Sequence, residues 1–286
     1  MSNKIMYTTT EVQQLLNDGN VTLVDVRDAE EYAEDHIPGA VNIPEMFYEL
    51  SMTTEKGLRE MTNKFKKLFS EAGISHDKRV IIYEDNLSTR YGGSCRGYFQ
   101  LNYMGHQDVG ILDGGLAVWR QQKLPTDDEK VKPVATIFTP KMNHSIMVTK
   151  QTMKEALGDS SVKLLDNRDK VEWTGESSSP YGIDFAPRKG RIPGARWMEW
   201  YNFMETDASG YIDHFKSPEA IREVCEGLGL QQDDDIIIYC FKGARASNTY
   251  VALKMAGFKN IRNYYGSWNE WSRDMSLPID GELLAA

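Results

Sequence analysis

Cys240 follows the apolar run Ile236-Ile237-Ile238-Tyr239 and precedes Phe241-Lys242-Gly243-Ala244-Arg245-Ala246-Ser247. The apolar run has the length and composition of a buried strand, and the residues beyond it continue in a helical pattern to Met255. The thiol is therefore expected at a strand's carboxyl end, in a short loop that opens a helix. Four features there favour thiolate over thiol. A helix N-terminus presents unbonded N–H groups and the positive end of its dipole. A tight loop curls its amides into an anion-binding nest. Lys242 and Arg245 add positive charge, and Gly243 permits backbone angles that other residues resist. Such a sulfur is a nucleophile. The other two cysteines carry no comparable signal. Cys225 lies on the apolar face of a helix with Ile221, Val224 and Leu228, and Cys95 stands in Gly93-Ser94-Cys95-Arg96 at a helix start. Both read as buried small residues.

The elements that position Cys240 occur twice. Leu23-Val24-Asp25-Val26-Arg27 matches Leu164-Leu165-Asp166-Asn167-Arg168, and Glu31-Tyr32 matches Glu172-Trp173. His36-Ile37-Pro38-Gly39-Ala40 matches Arg191-Ile192-Pro193-Gly194-Ala195, and Val80–Tyr83 matches Ile236–Tyr239. Gly114-Gly115 with Trp119 matches Gly266-Ser267 with Trp271. Matched blocks in one order mark a diverged internal repeat. Residues 1–125 form one domain on this reading, 126–147 a polar linker, and 148–286 a second domain. Short apolar runs (Thr22–Val26, Arg79–Tyr83, Val109–Leu112) alternate with helical stretches (Glu11–Leu16, Met61–Ala72). Ser217-Pro218 reads as the N-cap and first residue of a helix running through Leu228. The alternation predicts an α/β protein of two domains, each a mostly parallel β-sheet flanked by helices. Sites in such sheets form at the strands' carboxyl ends.

The copies differ where chemistry would sit. Glu84 stands in the place of Cys240, and the first copy carries four extra residues within Glu84–Gly93. The first domain is accordingly expected to be inactive and the second catalytic. The second copy carries about 14 extra residues within Thr174–Gly190, ending Pro187-Arg188-Lys189-Gly190-Arg191. Their Ser, Pro and Gly content predicts a surface loop, and the three basic residues suggest anion recognition. The Asp-x-Arg of each copy, Asp25/Arg27 and Asp166/Arg168, reads as an internal ion pair. Trp268 and Trp271 read as wall and core.

The bulk composition narrows the classes. With 286 residues, 41% of them hydrophobic, the chain can bury cores without disulfides or metals. Net charge is −9, which disfavours broad nucleic-acid binding. Mean hydropathy is −0.50, and no apolar run approaches the roughly 18 residues of a membrane span. Three cysteines make no disulfide framework, and no Cys/His pair has zinc-ligand spacing. A cytoplasmic protein without secretory leader, metal or cofactor is the expectation.

These residues resemble the rhodanese family, over almost the whole chain as a tandem pair. The marks are the two Asp-x-Arg motifs, the two Ile-Pro-Gly-Ala segments, the Cys240–Arg245 loop and Gly266-Ser267-Trp268-Asn269-Glu270-Trp271. The resemblance implies sulfurtransferase activity, with Cys240 taking sulfane sulfur from a donor as a persulfide and passing it to cyanide or a thiol. It implies catalysis at Cys240, Lys242 and Arg245, and substrate binding by Lys242, Gly243, Arg188 and Arg191. Lys242 matches the lysine of thiosulfate-type members, so thiosulfate is the expected donor. Arg188 aligns with a substrate arginine of mercaptopyruvate-type members, which keeps 3-mercaptopyruvate as the alternative. A monomer is implied. Two rival classes remain. A phosphatase or arsenate reductase of the related fold needs five residues between cysteine and arginine, where this loop has four. A non-enzymatic sulfur-binding module needs no intact lysine and arginine.

Overall fold

The computed structural model describes residues 4–281. Its strands in chain order are β1 (Met6–Tyr7), β2 (Val21–Asp25), β3 (Val41–Asn42), β4 (Arg79–Tyr83), β5 (Val109–Leu112), β6 (Met147–Val148), β7 (Val162–Asp166), β8 (Arg196–Trp197), β9 (Met204–Thr206), β10 (Asp213–Phe215), β11 (Asp235–Tyr239) and β12 (Asn260–Tyr264). They form two five-stranded sheets and one hairpin. The orders are β1-β5-β4-β2-β3 and β6-β12-β11-β7-β8, the same topology twice, and every pairing within the two sheets is parallel. Strands β9 and β10 pair antiparallel.

The chain resolves into two compact units. Among the described residues, the first comprises 4–49, 59–143 and 204–215, and the second 50–58, 144–203 and 216–281. Each unit thus includes a short segment drawn from the other half of the sequence. The expected α/β class with mostly parallel sheets holds.

The repeat extends to individual hydrogen bonds. The Tyr83 hydroxyl accepts from the Ile37 amide, and the Tyr239 hydroxyl accepts from the Ile192 amide, both at 3.1 Å. The Trp119 indole N–H donates to the Pro125 carbonyl at 2.8 Å, and that of Trp271 to the Pro278 carbonyl at 3.0 Å. These polar tips sit in otherwise apolar cores. In the first unit Val12, Leu23, Ile37, Ile81 and Leu112 pack around Tyr83 and Trp119, and in the second Met153, Leu164, Ile192, Ile237 and Trp268 pack around Tyr239 and Trp271. A buried hydroxyl or indole N–H without a partner is costly, so the paired bonds fix how each Ile-Pro-Gly segment crosses its sheet. Both Asp-x-Arg motifs make the expected ion pair. Arg27 bonds Asp25 at 2.7 Å and Arg168 bonds Asp166 at 2.7 Å, all four side chains buried. Arg168 also lies over the Trp268 ring, 4.4 Å from its centroid, and donates to the Gly190 carbonyl.

Candidate active site

β11 is flanked by β7 and β12 on its two sides, so it is an interior strand and delivers Cys240 to the carboxyl end of the sheet. The chain then turns into the helix Ala244–Met255. Gly243 makes that turn in the left-handed region, at φ +83°. A Cβ there would stand 3.0 Å from the Tyr265 carbonyl oxygen, so strain and crowding both select glycine. The consequence falls on the sulfur: the Gly243 N–H donates to Cys240 Sγ at 3.1 Å. The other side of the turn is pinned as well. The Cys240 amide donates to Ser267 Oγ at 3.1 Å, whose own proton goes to the Tyr264 carbonyl. The Gly243 carbonyl accepts from the Ser247 hydroxyl at 2.6 Å and from the Asn263 side chain at 3.3 Å.

Cys240 is only 1% exposed, which puts its sulfur out of bulk water, yet polar groups as well as hydrocarbon surround it. Arg245 is buried too, and its charge and that of a Cys240 thiolate act on one another. Arg245 is held by a pair of acids. Its Nη1 and Nη2 bond Glu172 at 2.5 and 3.1 Å, and Nη1 also lies 3.0 Å from Asp169. Burial alone would push the guanidinium's pKa down, but Glu172, Cys240 and Asp169 outweigh it and hold the pKa above its ordinary value. Arg245 is thus charged and neutralised in place. It ties the cradle to the helix Lys170–Trp173 more than it offers a bare charge.

The remaining expected site residues divide. Lys242 is nearly buried, and its Nζ lies 5.4 Å from the centroid of the Tyr181 ring. Arg188 is buried and donates to four backbone carbonyls, of Trp271, Ser272, Asp274 and Leu277, at 2.7–3.1 Å. It clamps the end of the inserted loop onto the C-terminal segment, and a substrate would have to compete for those donors. Arg191 stacks on Trp173, 4.4 Å from the ring centroid, and donates to the Trp173 carbonyl. Its backbone pairs with Asp280 as His36 pairs with Asp127 in the first unit. The inserted stretch is less loose than its composition suggested. Ser178, Ser179, Ala186 and Arg188 are buried, and the exposed run is 180–185.

Two residues of this site, Asp169 and Tyr181, escaped the sequence, which marked Glu172 only as part of a matched block. Asp169 and Glu172 partner Arg245, and Tyr181 lies over Lys242. The acids had a detectable signal, because Asp28 and Glu31 stand at the matching positions of the first copy. There they hold Arg90, through Asp28 at 2.6 Å and through a contact to Glu31. Arg90 is therefore the first unit's counterpart of Arg245. The first cradle differs in its occupant. The Glu84 carboxylate accepts from the Gly93 and Ser94 amides at 3.0 Å each and from the Ser94 hydroxyl at 2.6 Å. It fills the N-terminus of the helix Gly93–Tyr103 with the chain's own oxygens. Burial pushes its pKa up to about 8, against the pull of the Ser94 hydroxyl and the two amides. Cys225 shows burial without such donors: desolvation pushes its thiol up to about 12. Among the described residues no cluster of His, Cys, Asp and Glu is arranged to hold a metal ion, and no helix is long and apolar enough to cross a membrane.

Comparison with known proteins gives one consistent family. The model of the rhodanese-like domain matches residues 8–122 and again 149–274. The sulfur carrier protein TtuD of Thermus thermophilus is 30% identical over 284 residues, covering 96% of both chains. A thiosulfate sulfurtransferase of Pseudomonas aeruginosa is 28% identical over 260 residues, covering 90% of both. Among solved structures, the anaerobic ergothioneine biosynthesis enzyme of Chlorobium limicola, in complex with trimethyl histidine, superposes with a TM-score of 0.82 at 22% identity. It covers 97% of this chain and 70% of that one. At that identity the likeness is one of fold.

Proposed function

Because this chain belongs to the rhodanese-like family, we propose that it is a thiosulfate sulfurtransferase in which Cys240 carries the transferred sulfur. The observation that carries this reading is the Gly243 N–H directed at Cys240 Sγ at 3.1 Å, in a loop that closes on a buried, charged Arg245. An N–H held on the sulfur by the fold stabilises negative charge there without reorganising during the reaction. The sulfur is withdrawn from water, where such interactions are stronger.

The chemistry is two displacements at sulfur. The Cys240 thiolate attacks the outer sulfur of thiosulfate, the S–S bond of the donor breaks, and sulfite leaves with the electron pair. The outer sulfur of the resulting persulfide then accepts an acceptor's electron pair, from cyanide or a thiolate, and the Cys240 thiolate is regenerated as the leaving group. No external oxidant or reductant enters. Lys242 is assigned the sulfonate end of the donor, and Arg245 with Asp169 and Glu172 positions the loop. Among the relatives, the Pseudomonas aeruginosa protein is a thiosulfate sulfurtransferase and the Thermus thermophilus protein a sulfur carrier, and both namings fit a cysteine that holds sulfur covalently.

Intact-mass measurement after thiosulfate treatment tests the reading. A gain of about 32 Da, absent in Cys240→Ser, is expected for one added sulfur. Kinetics with thiosulfate and with 3-mercaptopyruvate, side by side, tests the donor, and thiosulfate should give the higher kcat/KM. An unchanged mass after thiosulfate treatment would leave a non-enzymatic sulfur-binding role standing.

A further inference from the structure

The residues inserted in the second copy do more than decorate the surface. Their tip presents Tyr181, Ile183 and Phe185 at 39%, 57% and 44% exposure, three large apolar side chains within five residues. Such side chains are ordinarily tucked away unless they meet something. The tip is built, not loose. The Tyr181 amide donates to Ser179 Oγ, the Ser179 hydroxyl donates to the Gly182 carbonyl, and the Phe185 and Ala186 amides return to the same carbonyl. Buried Ala186 and the four-carbonyl clamp of Arg188 anchor its far end. This anchored tip meets the sulfur-bearing loop directly. The Tyr181 ring lies 4.9 Å from that of Phe241 and 5.9 Å from that of Phe185. The Lys242 ammonium stands 5.4 Å from the Tyr181 centroid. Phe241 and Lys242 are the two residues that follow Cys240.

An aromatic row ending on a cation, beside a sulfur-bearing cysteine, has a definite chemical preference. A flat π-system stacks on Tyr181, and a carboxylate attached to it reaches Lys242. Cyanide offers no ring to stack on Tyr181. We propose that Tyr181 is a specificity-determining residue of the Cys240 site, selecting as sulfur acceptor an aromatic or heteroaromatic thiol that carries a carboxylate. The assignment rests on the persulfide reading above. In the step it favours, the aromatic thiolate attacks the outer sulfur of the Cys240 persulfide. A new S–S bond forms, the Cys240 S–S bond breaks, and its electron pair returns to Cys240 as thiolate. The acceptor leaves as an aryl persulfide.

The test uses the full chain, thiosulfate as donor, and two acceptors, cyanide and 4-mercaptobenzoate. The quantity read is the ratio of kcat/KM for 4-mercaptobenzoate to that for cyanide. Tyr181→Ala is expected to lower that ratio about tenfold. Tyr181→Phe, which keeps the ring, is expected to stay within about twofold of the parent ratio. A ratio unmoved by Tyr181→Ala, including the case where both acceptors slow equally because the ring only props Lys242, overturns the proposal. So does a Tyr181→Phe loss as large as that of Tyr181→Ala. Failure of the parent chain to produce thiocyanate at all would instead strike the sulfurtransferase reading, so the two failures are distinguishable.

Discussion

Arg245 shows why a cation near a thiol differs from a cation available to it. Its guanidinium is 2% exposed and engaged by Glu172, itself 1% exposed, as well as by Asp169. Removing one partner of such a pair strands the other as an uncompensated buried charge, which costs about 3–5 kcal/mol, whereas replacing both by neutral groups is often close to neutral. Arg245→Met should therefore lower the urea midpoint of the unit that carries Cys240 sharply. The double change Arg245→Met with Glu172→Gln should recover most of that loss. Sulfur transfer should not recover with it, because the guanidinium that ties the Cys240 loop to the helix Lys170–Trp173 is still missing. A double variant that regains both stability and turnover would show that the arginine only satisfies the acid. The sequence disclosed Arg245 but not this arrangement. Its partners lie 73 and 76 positions away, and an Asp-x-x-Glu at a helix start reads locally as a cap. Arg188 shows the same limit from the other side. A basic residue in an acidic chain suggested an anion, while its guanidinium is committed to backbone carbonyls that no sequence pattern announces.

At the scale of the element, both cradles are helix N-termini whose unbonded N–H groups need acceptors. The second holds a sulfur and the first the oxygens of its own Glu84 carboxyl group. Sequence comparison registered the exchange of Cys240 for Glu84 as a loss, and with it predicted an inactive first domain. It did not disclose that Glu84 turns back onto the Gly93 and Ser94 amides, since that depends on how the four extra residues fold. Two consequences can be measured. Glu84 is fully buried with a folded pKa raised to about 8 from 4.5, so the folded state holds a proton that the unfolded chain releases first. Its contribution to stability is complete below about pH 4.5 and is lost as pH rises through 8. The urea midpoint of the first unit should fall across that window, and Glu84→Gln should flatten the fall; a parallel fall in the variant would assign the pH dependence elsewhere. In the second cradle, Gly243→Ala forces a side chain into the left-handed region and against Tyr265, at a cost of about 1–2 kcal/mol. The turn that aims its N–H at Cys240 is then distorted. The yield of the +32 Da species from thiosulfate should drop by more than the loss of folded protein explains.

Taken as a whole molecule, the chain is one scaffold written twice, with different chemistry in each copy's loop. The scaffold was legible because it rests on short-range signals: β4 and β5 coincide with the apolar runs Arg79–Tyr83 and Val109–Leu112, and Ser217 caps its helix as expected. What was not legible is which segments complete each unit. Residues 50–58 belong with the second unit and 204–215 with the first, and neither stretch carries a local signal of its destination. Long-range contacts decide it. Within the second unit, Thr53 gives its amide and hydroxyl protons to the two oxygens of Glu270, at 2.8 and 2.5 Å, and its hydroxyl accepts from the Lys150 amide at 2.7 Å. Glu270 is wholly buried at the start of the helix Ser267–Trp271, the same helix whose Trp268 amide donates to the Cys240 carbonyl. Thr53 thus supports the Cys240 loop through two hydrogen-bonded steps while lying some 190 residues from it in sequence. Thr53→Val preserves shape but removes the hydroxyl, leaving a buried carboxylate oxygen and a backbone amide short of a partner, a loss of about 1–3 kcal/mol. The second unit should unfold at lower urea, followed by loss of thiosulfate-derived persulfide on Cys240, while exposed Thr126→Val changes stability by no more than about 0.5 kcal/mol. A fragment spanning 148–286 lacks both Thr53 donors and should be less stable still; a fragment as stable as the intact second unit would show that the early segment is dispensable to it.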